Sequence, residues 1–348
     1  MSTPFQLLRI NGGQDRPTIK YILYYTKFWS TDNFGYGFGQ QSFIVNNCSV
    51  NNCFITNNRS LLSDIKDFDM LIFHSQNIKD HQIPVARSPK QLYVFFSLES
   101  PINDNIDGFS EEFQSFFNLT MTYRRDSDIF SPYGEMTSIR TDSRDNISGG
   151  KMDKKELNFK TIDDRKLVAW VVSHCQTDSQ REEYVKELKK WIPIDQFGKC
   201  SKNKNECDDS CYGNLGTRYK FYLSFENSLC EDYITEKFWN TLEQSMVPIV
   251  LGSGNYKDVA PPHSYINVQD FKSPKELAEY LLKLDKNSKD YNRFLDWKTS
   301  HRIQSSRQYF KGQMLCDLCE KVHNTEKKVY SSFGDWWEKD KCSRLVEN

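Results

Sequence analysis

The sequence predicts an α/β protein made of two doubly wound units that face each other across a cleft. Three observations favour this fold. The 348 residues exceed what one hydrophobic core usually organises. Short apolar runs alternate with segments of helix length, which is typical of α/β units. A stretch at about 137–160, rich in Ser, Asp, Lys and Gly, separates two such series and predicts a linker.

The apolar runs predict buried parallel strands because they contain β-branched and aromatic residues and are bounded by polar residues. We expect a first unit over 1–150 and a second over 161–310. The predicted strands are Thr18–Tyr25, Asp69–His74, Gln91–Leu98, Leu167–Ser173, Lys220–Phe225 and Ile249–Leu251.

Helices are predicted where apolar residues recur with helical period. This pattern holds over Arg181–Ile192 and Thr235–Met246. A further helix begins at Ser273-Pro274-Lys275-Glu276, which has a Ser N-cap, Pro at the first helical position and Glu at the third. In such folds, ligands bind at the carboxyl ends of the strands.

Charge and cysteine content indicate the kind of partner and the compartment. The 46 basic and 47 acidic residues nearly cancel, so we expect no nucleic-acid partner. Ten cysteines favour disulfides in an oxidising space. Secretory residence is also indicated by N-glycosylation sequons, which begin at Asn47, Asn58, Asn118 and Asn146. No window approaches the ~20 apolar residues of a membrane span, so we expect an N-terminal anchor or signal outside this sequence.

The segment 224–237 (SFENSLCEDYITEK) holds the densest set of polar side chains, between a predicted strand and a helix. Glu236 and Lys237 fall in the first helical turn, where backbone N–H groups and the helix dipole favour an anion such as a diphosphate. The alternative is an ordinary first turn with Thr235 as its N-cap. Arg181 begins another helix beyond a strand, and it is either a second phosphate ligand or a solvated surface residue.

Glu99 follows a predicted strand and precedes Pro101, so it lies at the carboxyl end of that strand. A carboxylate that faces a cleft there can act as a general base. The alternative is an exposed loop glutamate.

Cysteine spacing leaves two interpretations open. Cys316 and Cys319 have the spacing of a redox pair or of half a zinc site, but in a secretory chain we favour two structural disulfides. The group Cys200, Cys207 and Cys211 lacks the regular spacing of a zinc site, and Cys175 and Cys230 are candidate disulfide partners for it. We therefore expect no metal.

Four strings together resemble the inverting α1,3-fucosyltransferases that use GDP-fucose. They are KFYLSFENSLCEDYITEKFWNTL with VPIVLGSGNY behind it, FFSLESP, NLTMTYRRDSDIFSPYG and CDLC. The first string is very specific, and the four occur in the same order as in that family. The resemblance implies a GT-B fold with the acceptor side first, the GDP-fucose side second and a tail over 311–348 that returns to the first domain.

The resemblance also implies roles for individual residues. Glu99 would deprotonate the acceptor hydroxyl for in-line attack on the anomeric carbon. Arg181 and Lys237 would neutralise the departing diphosphate. Nucleotide and fucose would be bound by Glu226, Asn227, Tyr233 and Glu236. GDP-fucose would be the donor substrate, with no bound cofactor and no divalent cation required, although one could stimulate the reaction.

The cysteines carry the rest of the resemblance. Cys48 and Cys53 would bridge to Cys316 and Cys319. The core α1,3 branch of this family fucosylates the innermost Asn-linked GlcNAc of N-glycans. The chain resembles this branch in the cysteines Cys200, Cys207, Cys211 and Cys230, and in Trp336-Trp337 followed by Cys342.

We therefore expect an N-glycan or glycoprotein acceptor and a full-length type II membrane protein in the Golgi lumen. The alternatives are a Lewis-type enzyme acting on N-acetyllactosamine and a noncatalytic secretory protein that binds carbohydrate.

Overall fold

The computed structural model describes residues 18–80, 83–104, 113–139, 164–201, 207, 211–305, 309–324 and 328–343. In chain order, the strands are β1 (Lys20–Tyr24), β2 (Cys53–Thr56), β3 (Met70–His74), β4 (Leu92–Ser97), β5 (Leu119–Thr122), β6 (Ile129–Phe130), β7 (Gly134–Ser138), β8 (Lys166–Val171), β9 (Ile194–Phe197), β10 (Tyr219–Phe225), β11 (Leu229–Cys230), β12 (Val247–Leu251), β13 (Ile266–Asn267), β14 (His301–Ser305) and β15 (Cys342–Ser343).

The helices of the described residues are α1 (Gln41–Val45), α2 (Arg181–Leu188), α3 (Cys211–Arg218), α4 (Glu236–Glu243), α5 (Tyr256–Val259), α6 (Pro274–Asp285), α7 (Ser288–Arg293), α8 (Tyr309–Asn324) and α9 (Phe333–Trp337). Short 3-10 turns cover Ile65–Asp67, Ser75–Asp80, Pro101–Asn103, Val268–Asp270 and Asp296–Thr299.

The first sheet has six parallel strands in the order β2-β1-β3-β4-β5-β6. Successive residues of a strand point to opposite faces, so Ile22 and Leu23 of β1 enter two different hydrophobic clusters. Leu318 of α8 packs into the first cluster and Trp337 of α9 into the second. Both faces of this sheet are therefore covered, and part of that cover comes from the C-terminal segment.

The second sheet has five parallel strands in the order β13-β12-β10-β8-β9. Leu188 of α2 and Leu281 of α6 pack with Phe221 on one side of the sheet. On the other side, Phe238 of α4 packs with Val250 of β12. Because α2 follows β8 and α4 follows β10, each of these helices begins near the carboxyl end of a central strand.

The predicted strands all form, with ends shifted by one or two residues. Two of the three predicted helices are shorter than the apolar pattern suggested, since α2 ends at Leu188 and α4 at Glu243. Helix α6 begins at Pro274 as predicted, and the Ser273 Oγ accepts the Glu276 N–H at 3.3 Å. In a capping box, the Glu276 carboxylate would accept a second hydrogen bond from the Ser273 N–H. Here it accepts from the Lys272 N–H instead, at 2.8 Å.

The first residues of the predicted linker at about 137–160 belong to a strand. Strand β7 continues to Ser138 and pairs in antiparallel fashion with β14, which lies beyond the second sheet in the chain. This ladder joins the two units at a second place besides the chain connection itself. The rest of the predicted linker, from residue 140 onward, lies outside the described residues.

The C-terminal segment contacts both units. The disulfides Cys48–Cys316 and Cys53–Cys319 attach α8 to the first unit. They join the two pairs of cysteines between which the resemblance implies bridges. Beyond α9 the chain reaches the second unit, where β15 pairs with β11 and Cys342 is bonded to Cys230. The tail therefore does more than return to the first domain.

The sequons differ in their surroundings. Asn118 is fully buried, where its Oδ1 accepts the Tyr93 N–H at 2.8 Å and its Nδ2 donates to the Lys328 carbonyl at 2.6 Å. A glycan cannot be attached to this side chain in the folded chain. Asn47 and Asn58 are exposed, and Asn146 lies outside the described residues.

Among the helices of the described residues, none combines the length and the apolar character needed to cross a membrane.

Candidate active site

The loop at 227–237 follows β10 and ends in the first turn of α4. Its lysine, Lys237, lies at the second helical position and keeps 17% of its side chain exposed. The Lys237 ammonium contacts the Thr235 Oγ1 at 2.8 Å, the Glu236 Oε1 at 3.0 Å and the Glu226 Oε2 at 3.2 Å. An ammonium has three donors, so all three are occupied in this arrangement.

The charges in this cluster shift each other's pKa. Burial alone would lower the pKa of Lys237, but the negative charges of Glu226 and Glu236 outweigh it, and the pKa is raised. Burial would raise the pKa of Glu236, but the charge of Lys237 and the hydrogen bond from it lower the pKa instead. Lys237 is therefore a permanent cation and Glu236 an anion at neutral pH.

Glu226, one of the residues for which the resemblance implies donor binding, is hydrogen-bonded within the loop. Its side chain is 0% exposed, and it accepts hydrogen bonds from the Thr235 N–H at 2.8 Å and from the Thr235 hydroxyl. Burial raises its pKa, which Lys237 and Thr235 oppose. The carboxylate is hydrogen-bonded to Thr235 and Lys237 of the loop, and its part in donor binding stays a prediction.

Thr235 occupies the N-cap position of α4, as the interpretation of an ordinary first helical turn predicts. It has the extended backbone of an N-cap residue, but its side chain makes no capping bond to the helix. The hydroxyl instead contacts the Glu226 carboxylate. One threonine thus connects the buried acid to the start of α4.

Glu99 lies two residues beyond β4, and its carboxylate meets the loop of the other unit. The Tyr233 hydroxyl donates to the Glu99 Oε2 at 3.2 Å. Burial raises the pKa of Glu99, while the charge of Lys237 and hydrogen bonding from Tyr233 and Asn227 oppose the rise. A partly buried carboxylate with a raised pKa at the junction of two units is suited to accept a proton.

Tyr233 and Asn227 are the two residues of this loop that hydrogen-bond to the Glu99 carboxylate. Tyr233 is buried and its ring lies 4.9 Å from that of Tyr123, between the ring centroids. The Asn227 carbonyl accepts the Ser179 N–H at 3.2 Å. The Asn227 Oδ1 is buried, and in the described part of the chain it has no hydrogen-bond partner, which leaves one acceptor for a ligand.

Arg181 begins α2, as predicted, but it is not a surface residue. Its guanidinium donates to the Phe225 carbonyl at 2.7 Å and to the His174 carbonyl at 3.1 Å, and it contacts Glu182 at 3.3 Å. These carbonyls belong to the ends of β10 and to the loop after β8. A guanidinium has five N–H donors, so two remain after these contacts. Its charge acts on Lys237, which indicates that the two cations are near each other.

Direct hydrogen bonds join the loop after β4, which carries Glu99, to the loop at 227–237. The hydroxyls of Ser100 and Ser228 are 2.8 Å apart, and the Asn103 Nδ2 donates to both of them. Nearby, the Arg125 N–H donates to the Asp232 Oδ2 at 3.0 Å. Ser228 and Asp232 lie inside the string that carries the resemblance, but no feature of their sequence positions marks them as contacts between the loops.

The remaining cysteines are paired near these loops. Cys175–Cys200 holds the segment before Arg181, and Cys207–Cys211 closes a short loop at the start of α3. The expected pairing of Cys175 with the group Cys200, Cys207 and Cys211 is confirmed by the Cys175–Cys200 bridge, whereas the expected pairing of Cys230 with it is wrong, because Cys230 is bonded to Cys342. None of these ten cysteines is free, because each belongs to one of five disulfides.

Comparison with known proteins gives the family. Residues 162–336 match glycosyltransferase family 10 (fucosyltransferase) C-term, and residues 17–134 match the fucosyltransferase N-terminal family. Alpha-(1,3)-fucosyltransferase C of Drosophila melanogaster is 34% identical over 305 residues, which are 83% of this chain and 70% of that protein. Glycoprotein 3-alpha-L-fucosyltransferase A of the same species is 36% identical over 312 residues, 86% of this chain and 57% of that protein.

A relative named for another acceptor is equally similar. The 3-galactosyl-N-acetylglucosaminide 4-alpha-L-fucosyltransferase of Bos taurus is 37% identical over 298 residues, 82% of this chain and 74% of that protein. A crystal structure of an alpha1,3-fucosyltransferase with GDP-fucose has a TM-score of 0.52 at 16% identity and covers 92% of this chain and 95% of its own. The predicted two-sheet α/β fold is thereby confirmed, and the chain belongs to glycosyltransferase family 10, the fucosyltransferases.

Proposed function

We propose that this chain transfers L-fucose from GDP-fucose, with inversion, to the 3-hydroxyl of the innermost Asn-linked GlcNAc of N-glycans. One observation carries the proposal. Glu99 of the first unit lies within a hydrogen bond of Tyr233, in the loop that ends at Lys237. This contact supports a single site, at the carboxyl ends of both sheets, for the proposed base Glu99 and the proposed diphosphate-binding residue Lys237.

In this proposal, the diphosphate of the donor replaces one hydrogen-bond partner of Lys237 when the donor binds. All three donors of its ammonium are used, and Glu236 is its more exposed carboxylate partner at 44%, against 0% for Glu226. A diphosphate at the start of α4 would take the place of Glu236, because it brings more negative charge to the helix N-terminus. The released Glu236 carboxylate would then accept hydrogen bonds from fucose hydroxyls.

Glu226, Asn227 and Arg181 support this exchange in different ways. Glu226 keeps Lys237 at the helix start, because a buried carboxylate requires its cationic partner. Asn227 offers its unpaired Oδ1 to the donor. Arg181 adds positive charge near the leaving diphosphate and has N–H donors beyond those that hold the strand ends.

In the transfer step, the Glu99 carboxylate would accept the proton of the acceptor 3-hydroxyl while that oxygen attacks the anomeric carbon of fucose. The bond from this carbon to the diphosphate oxygen breaks on the opposite side, so β-linked fucose becomes α-linked. GDP leaves with the bonding electron pair, and Lys237 and Arg181 stabilise the charge that develops on it.

The acceptor proposal rests on the cysteine pattern and on one relative. The Cys230–Cys342 bridge includes the cysteine that follows Trp336-Trp337, a feature that resembles the core branch. A relative at 36% identity is named a glycoprotein 3-alpha-L-fucosyltransferase. We also propose residence in the Golgi lumen, because disulfides persist in the oxidising compartments of the secretory pathway and the chain has five of them.

The proposal is tested by incubation with GDP-fucose and either of two acceptors, a GlcNAc-terminated N-glycopeptide or N-acetyllactosamine, followed by mass and linkage analysis. We expect α1,3-linked fucose on the Asn-linked GlcNAc. Product on N-acetyllactosamine alone would replace the core acceptor with a Lewis-type one. Absence of product with both acceptors, together with absence of GDP binding, would contradict the donor proposal as well.

A further inference from the structure

A buried acid outside the reacting groups closes the loop that carries Glu99. Asp104 follows the 3-10 turn Pro101–Asn103, and its Oδ1 accepts from the Ser75 hydroxyl at 2.7 Å and from the Gln76 amide at 3.2 Å. Its Oδ2 accepts from the Trp337 indole N–H at 2.7 Å. Burial raises the pKa of Asp104 to about 7, although these hydrogen bonds oppose the rise.

Ser97 connects this acid to Glu99. The Ser97 hydroxyl donates to the Asp104 Oδ1 at 3.1 Å, and the Ser97 oxygen accepts the Glu99 N–H at 3.2 Å. The same hydroxyl also lies 3.2 Å from the Glu99 carbonyl oxygen, so its one proton is shared between the Asp104 carboxylate and the Glu99 backbone. Ser97 thus links Asp104 to the backbone of Glu99 at the end of β4.

Trp337 holds Asp104 from the C-terminal segment. Its ring is fully buried and lies 5.1 Å from that of Phe95, between centroids, on the strand that leads to Glu99. Five residues later, Cys342 is bonded to Cys230 within the loop of the second unit. The same short segment is therefore attached to both loops of the site.

A buried carboxylate with only a structural role could be hydrogen-bonded at any position in the core. Asp104 and Ser97 instead stand on either side of Glu99 in the chain, and their hydrogen bond closes the loop between them. A general base must be held within hydrogen-bond reach of the proton that it accepts, and a displacement of ~1 Å can cost about a hundredfold in rate. The placement of this acid matches that need.

We propose that Asp104 and Trp337 are positioning residues that hold Glu99 for proton transfer, which rests on the proposed role of Glu99 as the base. Ser97 transmits their effect to the Glu99 backbone. None of the three contacts the groups assigned to the donor.

The test compares Trp337→Phe with Trp336→Phe in the full chain. Both changes remove one indole hydrogen bond from α9, since Trp336 donates to the Asp126 Oδ2 at 3.0 Å, away from Glu99. We expect Trp337→Phe to lower kcat per folded molecule about ten- to a hundredfold, with the KM for GDP-fucose and the GDP affinity unchanged. Trp336→Phe should leave kcat unchanged.

Ser97→Ala is the second variant, because it removes only a hydroxyl. It should lower kcat in the same way, and the double variant Ser97→Ala/Trp337→Phe should lose less than the product of the two single losses. A kcat for both variants equal to that of Trp336→Phe would overturn the positioning proposal. Glu99→Gln is measured beside them. Normal turnover of Glu99→Gln would overturn the assignment of the base itself, a result distinct from failure of the positioning residues alone.

Discussion

At the scale of single residues, Lys237 is shared between two carboxylates and a hydroxyl, so its replacement affects both ligand binding and stability. We expect Lys237→Ala to weaken GDP binding about ten- to a hundredfold, the loss of a charge-assisted hydrogen bond of roughly 1.5–3 kcal/mol. Isothermal titration calorimetry measures this loss.

Lys220→Ala is the matched control for Lys237. Lys220 is buried and paired with Asp285 in the same unit, away from the loop. Its loss should lower the melting temperature without a change in GDP affinity. Equal GDP affinity of the wild type and Lys237→Ala would contradict the diphosphate role.

The protonation of Glu99 predicts a pH dependence. Because burial raises its pKa, the carboxylate becomes protonated at a higher pH than an ordinary glutamate, and kcat/KM should fall as pH drops through that value. Tyr233→Phe removes a hydrogen bond that favours the ionised form, so the acid limb of the pH profile should move to higher pH.

Tyr256→Phe is the control for this shift, because the Tyr256 hydroxyl is buried with no hydrogen-bond partner in the part of the chain that the structure describes. Its acid limb should coincide with that of the wild type. If the acid limb of the Tyr233→Phe profile lies at the same pH as that of the wild type, Tyr233 does not influence the pKa of the titrating group.

At the scale of elements, the sequence predicts well where local chemistry decides. The start of α6 follows from Ser273 and Pro274, and the buried strands follow from continuous apolar runs. The ends of α2 and α4 were less predictable, since apolar periodicity continues beyond the last helical hydrogen bonds. The role of Thr235 was missed because a threonine before a helix is most often an N-cap, and only the fold brings Glu226 to its hydroxyl.

The Cys230–Cys342 bridge gives a prediction for the loop and the tail together. It closes a far longer segment of chain than Cys207–Cys211, with sequence separations of 112 and 4. The chain-entropy model gives ~5 kcal/mol for the longer loop and ~2 kcal/mol for the shorter one. We therefore expect Cys230→Ser/Cys342→Ser to lose more thermal stability than Cys207→Ser/Cys211→Ser. Equal melting temperatures of these two variants in calorimetry would contradict a structural role for the tail at the loop.

At the scale of the whole molecule, the two-unit architecture could be predicted, but the contacts across it could not. Asp104 and Trp337 are separated by 233 positions, and neither stands in a motif that marks it as a partner of the other. The burial of Glu226 was equally hidden, because an acid that binds a ligand and an acid that holds a lysine look alike in sequence. Glu99 and Lys237 could be selected from their positions after a predicted strand and at a predicted helix start, and the family motifs then supplied their predicted roles.

The most direct test of the account is the Glu99→Gln variant, which keeps the shape of the side chain and removes its basicity. Fucose transfer from GDP-fucose and GDP affinity should be measured on the same preparation, with the melting temperature as a check of folding. We expect GDP affinity to be unchanged and turnover to fall by about a hundred- to ten-thousandfold. Near-normal turnover would contradict the central claim that Glu99 and the loop ending at Lys237 form one catalytic site.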